Sequence, residues 1–292
     1  ITVYNPSHLG GIFSNFIVDG VKEAELIKGA YNAEYGGRLS AVLNVISREG
    51  NQKEFKGKAN ISLLSAQTTL EGPLPKGAWI LSGRRTYFDL VLPKVLPDNI
   101  ASNVPPYFFY DVQGHIFSDI STKDRLSLSY YTGIDDIVFD TFGLDGRWGN
   151  RTISGHWRRV FSERLVGNFL IANSNFRTFF GLGGDGGLVN DNIIDDRTIS
   201  ADLSWFKSAD LTVKFGGQNK ILGFEYFSEF QDSVVFKIKN SPSEFGTYAK
   251  MKYNINELLI LEPGVRFNYY DVYPDSLYPV SYTHLRAHET QS

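Results

Sequence analysis

Apolar and polar side chains alternate along several stretches of this chain. Between residues 126 and 130 the apolar set is Leu126, Leu128 and Tyr130, with Ser127 and Ser129 between them. Between 199 and 205 it is Ile199, Ala201, Leu203 and Trp205, with Asp202 and Ser204 on the other side. Thr247 to Tyr253 repeats the pattern and gathers Lys250 and Lys252 on one face. Successive strand side chains point to opposite faces, so a period of two predicts strands with one apolar and one polar face. Leu211 to Phe230 and Leu258 to Val272 are longer than the roughly 5–6 residues usual in soluble strands, and suit strands that overshoot a bilayer.

The connections between these runs fall into two sets. Pro75-Lys76-Gly77, Ser121 to Asp124, Ser162-Glu163, Ser208 to Asp210 and Asn254 to Asn256 are short. Asp89 to Pro106, Asp135 to Asn150, Gly181 to Asp196 and Asp232 to Ser243 read as long loops. Short turns alternating with long loops is the pattern of outer-membrane barrels, and the runs amount to about eleven strands. Periodicity alone also fits a soluble β-sandwich or a lipocalin-like barrel, because one sequence does not say which face meets water.

Composition narrows the choice. The 292 residues include 22 Phe, 16 Tyr, 4 Trp and 28 Gly, a profile that favours β-structure. Trp79, Trp157 and Trp205 fall near strand ends, as do Tyr87, Tyr107, Tyr130 and Tyr269, where membrane barrels place aromatic girdles. No apolar run reaches the roughly 18 residues of a membrane helix, so a bilayer would be crossed by strands. There is no cysteine, hence no disulfide and no cysteine-ligated metal. A net charge of −3 with interspersed signs leaves no nucleic-acid footprint.

The most specific stretch is Lys28-Gly29-Ala30-Tyr31-Asn32-Ala33-Glu34-Tyr35-Gly36-Gly37-Arg38-Leu39-Ser40-Ala41-Val42-Leu43-Asn44-Val45-Ile46. It places a Gly-Gly turn between two short apolar strands, Ala24 to Ile27 and Ala41 to Ile46. Glycine there allows positive φ and close backbone packing. The run, with Leu70-Glu71-Gly72-Pro73 and Ser82-Gly83-Arg84-Arg85-Thr86-Tyr87 after it, resembles the late plug and first barrel strands of TonB-dependent outer-membrane receptors. The resemblance implies an all-β membrane protein: part of a transmembrane antiparallel barrel, about half its strands, preceded by a small mixed α/β plug segment. Residues 1–50 would be the C-terminal part of the plug and 51–279 the N-terminal part of the barrel.

What the family implies is active import of a scarce, bulky ligand (a siderophore, cobalamin, a glycan or a peptide) across the outer membrane of a Gram-negative cell. Its partners would be TonB, the ligand, outer-membrane lipid and, as a further candidate, a surface lipoprotein. The TonB box would precede Ile1. The alternatives are a passive porin-like or structural barrel, which has no plug, and a secreted glycan-binding β-protein, which would need a polar exterior. Gly29, Tyr35, Gly36, Gly37, Arg38 and Ser40 form the plug turn motif. Arg38, Arg84 and Arg85 are the candidates for plug–barrel contact. Alternation turns Trp79, Leu81 and Gly83 outward and Ser82, Arg84 and Thr86 inward, which aims Arg84 at the plug; a one-residue slip would leave it at the rim.

Candidate chemistry is sparse. Asp135-Asp136, Asp185, Asp191 and Asp195-Asp196 lack the spacing of a calcium loop and read as solvated loop tips. The glycines from Gly181 to Gly187 lack the Lys-Ser/Thr of a phosphate loop. His8, His115 and His156 are scattered and read as structural or exposed, and no Gly-x-Ser-x-Gly elbow occurs. Glu225 and Glu229 would lie about 13 Å apart on a strand, too far for a glycosidase pair. No catalytic residue, cofactor or metal site is therefore expected. Val280 to Ser292 looks like a translated sequencing adapter, a non-native tail whose His284 and His288 should be set aside.

Overall fold

The computed structural model describes residues 1–29, 32–37, 41–101, 104–139, 143–256 and 258–271, with the backbone of 278–284. Arg38 and Ser40 lie outside the described residues. In the N-terminal segment β1 (Ser7–His8) pairs with β2 (Phe13–Ser14), and β3 (Val21–Lys28) pairs antiparallel with β4 (Ala41–Ser47), Ile27 opposite Val42. Its described helical turns are both 3-10, Leu9–Gly11 and Val18–Gly20, and no α-helix forms among the described residues of 1–50. Gly10 and Gly11 take φ of 64° and 108°, which stops the first turn from propagating. The Gly-Gly pair is not a two-residue turn: it sits inside a longer link from Gly29 to Ser40 that leaves the β3–β4 ladder and returns.

The rest is one antiparallel sheet. It begins with β5 (Lys56–Ile61), β6 (Ser65–Leu74) and β7 (Gly77–Thr86), followed by helices α1 (Phe88–Val95) and α2 (Asp98–Ala101). Then come β8 (Tyr107–Asp119), β9 (Asp124–Phe139), β10 (Leu144–Ser162), β11 (Leu165–Leu182), β12 (Leu188–Phe206) and β13 (Leu211–Phe230). The sheet ends with β14 (Ser233–Asn240), β15 (Ser243–Asn254), β16 (Ile260–Leu261), β17 (Gly264–Asp271) and β18 (Tyr278–His284). Among the described residues it has fourteen strands, sequence neighbours pairing in order. β14 and β16 are side pairs, and β18 runs into the adapter-like tail; setting these three aside leaves the eleven strands expected. The edges β5 and β18 do not meet, so the barrel is not closed. β18 pairs with β17, as an open edge accepts extended chain of almost any sequence.

Register confirms the two faces. Leu126 lies opposite Trp157, which pairs with Phe169, which pairs with Ala201; Leu203 and Trp205 continue this outward row set. On the other face Ser129 Oγ bonds His115 Nδ1 at 2.8 Å, Asp202 accepts from Tyr248, and Ser204 lies beside Lys214. Ser127, Ser129, Asp202 and Ser204 thus face inward and Leu126, Leu128, Leu203 and Trp205 outward. Cysteines at Leu128 and Leu203 in the membrane-embedded protein are expected to react with lipid-borne probes, and cysteines at Ser127 and Ser204 with water-borne ones. The reverse pattern would overturn the membrane orientation.

Most of the long loops turn out to be strand. β9 continues through Asp135 and Asp136 to Phe139, β10 starts at Leu144, and β12 starts at Leu188, so the connections shrink to 140–143 and 183–187. In these extensions apolar and polar residues mix on both faces (Ile134 and Asp136 outward, Asp135 and Ile137 inward), so the ladder persists without a periodic signal in sequence. Asp89 to Pro106 holds the two helices instead of a loop, with Pro93 in the last turns of α1.

Candidate functional site

Four polar clusters fasten the N-terminal segment to the concave face of the sheet. In the most buried, the His8 ring lies between Asp111 on β8 and Asp135 on β9, with Nε2 2.8 Å from Asp111 Oδ1 and Nδ1 2.7 Å from Asp135 Oδ2. His8 and Asp111 are fully buried and Asp135 is 1% exposed. Arg84 Nε donates to Asp111 Oδ2 at 2.9 Å, Tyr131 donates to Asp111 Oδ1 at 3.2 Å, and Tyr107 donates to Asp135. Phe109 stacks on the imidazole with centroids 4.0 Å apart. Burial works against a charge on His8, but hydrogen bonds and charge from Asp111 and Asp135 outweigh it and raise its pKa above the ordinary value. The imidazolium then donates to both carboxylates.

The second cluster holds the Gly-Gly link. Glu34 accepts from Lys250 Nζ on β15 at 2.6 Å and from Lys214 on β13. Arg266 on β17, 4% exposed, donates Nη1 to the carbonyls of Ala33 and Glu34 at 3.3 and 3.2 Å. Its guanidinium occupies the space a side chain at Gly36 would fill, and Gly37 takes φ 65°. Burial opposes the charge of Glu34, but the two lysines prevail and lower its pKa. A lowered carboxylate contributes stability above its unfolded pKa, about 4.3, and loses it as pH falls through the lowered value. Glu34→Gln is expected to weaken docking of the link by about 2 kcal/mol and to flatten that acid limb. Limited proteolysis of the link against pH reads both.

The third cluster ties down the chain start. Tyr4 donates its hydroxyl to Asp196 Oδ2 at 2.9 Å and its backbone N–H to Asn150 Oδ1 at 3.1 Å, while Lys220 Nζ pairs with Asp196 at 3.0 Å. In the fourth, Arg48 Nη2 donates to both carboxylate oxygens of Glu71 on β6 at 2.9 and 2.8 Å, and Asp19 accepts from Gln67 Nε2 at 2.7 Å and Lys58 Nζ at 2.6 Å.

Of the three candidate contact residues, Arg84 faces the segment, and its Nη2 also donates to the Ser14 carbonyl at 2.6 Å. Arg85 corrects the expectation: alternation turns it to the outer face, where it pairs with Asp89 at 2.7 Å and lies over the Phe108 ring. Arg38 lies outside the described residues. Tyr35 and Gly29 belong to the link, where Tyr35 N–H closes a turn on the Asn32 carbonyl at 2.9 Å and Gly29 has φ 66°. Nothing local in the sequence marks Asp111, and Asp135 and Asp196, which look there like solvated tips, are buried, Asp196 at 2% exposed. The signal within reach was alternation carried on past the apolar band, which puts Asp111 and Asp135 on the inward face.

No known family model matches the sequence, and no curated protein does. Solved structures do match. A variant of the ferric enterobactin receptor PfeA of Pseudomonas aeruginosa aligns over 93% of this chain and 47% of its own, with TM-score 0.67 and 14% identity. The copper transporter OprC aligns over 94% and 47%, with TM-score 0.65 and 11% identity. The alcaligin outer-membrane receptor FauA of Bordetella pertussis aligns over 90% and 45%, with TM-score 0.65 and 12% identity. The chain spans about half the length of these structures. The neighbours are receptors and transporters rather than enzymes. The fold is that of TonB-dependent outer-membrane receptors, an outer-membrane architecture seen here as an open part-barrel around an inner segment.

Proposed function

We propose that this chain is part of a TonB-dependent importer that carries a scarce, bulky ligand across the outer membrane of a Gram-negative cell. Residues 1–50 are then the C-terminal part of its plug and 51–279 the N-terminal part of its barrel. The observation that supports this best is the buried His8–Asp111–Asp135 cluster. A passive porin has no use for an inner segment fastened to the wall by buried, hydrogen-bonded charges, whose rupture is costly. Glu34 and Arg84 serve as further fastenings, and the Gly29–Ser40 link is the hinge between plug strands.

The protein binds and transports but does not convert its ligand. PfeA is named for ferric enterobactin, FauA for alcaligin and OprC for copper, and the ligand classes to be tested here are siderophores, cobalamin, glycans and peptides. TonB is the partner that would supply energy, and a surface lipoprotein is a candidate for ligand hand-over. The test is growth of the source organism on each ligand class, with the complete gene deleted or TonB removed. Loss of growth in both strains on one ligand is expected. Growth that needs the gene but not TonB would favour the passive barrel.

A further inference from the structure

Two cavities open side by side on the outward, lipid-facing surface of β9 to β12. One, about 650 Å³, is almost wholly apolar and is lined by Leu128, Trp157, Phe169, Ile171, Ile199 and Ala201. Its floor is Gly155, which pairs with Leu128 on one side and Ile171 on the other, so the missing side chain leaves a furrow between two branched ones. The second, about 530 Å³, lies further up β10 and is of mixed character, with Arg147, Arg151, Asn175 and Arg177 beside Ile134 and Phe179.

The arginines in this cavity and beside it, where Arg197 lies on the neighbouring row of β12, are of two kinds. Arg147 is held by Asp136 at 2.5 Å and Arg177 by Asp191 at 2.6 Å. Arg151 and Arg197 are exposed and show no ion pair among the described residues. Arg151 pairs across the ladder with Asn175, and Arg197 with Asn173. Strand spacing and rise put their Cα atoms roughly 12 Å apart, a gap two arginines can close on one anion with the asparagines between them. The neighbouring carboxylate, Asp195, already accepts from Asn175 Nδ2 at 3.0 Å. Arg197 shares its outward row with Asn173 and Ile153, and the row directly below is Ile199, Ile171 and Gly155, which marks the edge of the apolar furrow. Unpaired guanidinium groups at that edge carry the planar donor fork that bidentate hydrogen bonds to phosphate require.

We propose that this wall binds one phosphorylated lipid, its phosphate between Arg151 and Arg197 and an acyl chain in the furrow over Gly155. Charge complementarity selects the headgroup, and about 13 Å of strand from Arg151 to Gly155 sets the chain below it. The inference rests on the fold and not on import.

The test uses the complete protein, purified, stripped of lipid in detergent and probed by native mass spectrometry with dioleoylphosphatidic acid. Diacylglycerol and inorganic phosphate are the controls lacking phosphate and chain respectively. One phosphatidic acid retained per barrel is expected, with retention of either control at least tenfold lower. R151Q/R197Q is expected to lose about tenfold in retention, the worth of one charge-assisted contact. Gly155→Leu fills the furrow from outside and is expected to lower phosphatidic acid retention while leaving the arginines in place. Heat-modifiable gel migration checks that each variant is folded. Equal retention of phosphatidic acid and diacylglycerol, or unchanged retention in folded R151Q/R197Q, would overturn the site.

Discussion

Substitution of His8 by alanine is expected to release the start of the inner segment from the wall. The imidazolium is the donor that reaches both Asp111 and Asp135, and all three groups are buried. Removing it leaves Asp111 with Arg84 and Tyr131, and Asp135 with Tyr107 and the Leu9 N–H, but strips one buried charge from between two carboxylates. Breaking such a group costs about 3–5 kcal/mol. The readout is hydrogen exchange at residues 5–16 in the complete protein, where protection should fall by two or more orders of magnitude. The pH dependence carries the signature. Because the pKa of His8 is raised, its contribution is complete below the ordinary histidine value of about 6.5 and disappears as pH rises through the raised value. Protection in the unaltered protein should therefore weaken on the alkaline side, while in His8→Gln that dependence should be absent. An alkaline limb that survives in His8→Gln would assign it to another group.

Valine at both Gly36 and Gly37 is the second substitution expected to be severe. A β-carbon at Gly36 overlaps the Arg266 guanidinium, which is fixed by Asn268 Oδ1 at 2.7 Å and by the Ala33 and Glu34 carbonyls. Valine at Gly37 must adopt φ 65°, worth about 1–2 kcal/mol of strain in a non-glycine residue. Overpacking at the first site adds about 1–3 kcal/mol. The pair should undock the link from β13, β15 and β17 and, on the proposed import function, abolish ligand uptake by the complete protein at unchanged surface expression. Gly36→Ala alone should show an intermediate loss. Uptake at the unaltered rate in the double variant would contradict the packing argument.

The legibility of the chain followed the reach of each signal. Alternation at Leu126 to Tyr130 and at Ile199 to Trp205 exposed both faces, because there one face meets apolar surroundings and the other polar ones. At Asp135 and Asp196 the same strands pass out of that band, apolar and polar residues mix on both faces, and an inward carboxylate looks like a loop residue. Their partners, His8 and Tyr4, lie 127 and 192 positions away, a separation no local pattern spans. The glycine-rich link was legible as a place needing freedom of φ, but not its length, since Arg266 closes over it from the far end of the chain. Arg84 and Arg85 differ by one position and by a whole face of the sheet, which alternation does carry.

The fastenings of the inner segment are spread along it: Tyr4 to β12, His8 to β8 and β9, Asp19 to β5 and β6, Glu34 to β13 and β15, Arg48 to β6. A tension applied at the N-terminal end loads them one after another and not together. Tyr4 yields before His8 feels the pull, and His8 before Asp19. The threshold for extraction is then the strength of the toughest single fastening, not the sum of all, so a segment held by many bonds can still be peeled away by a modest force.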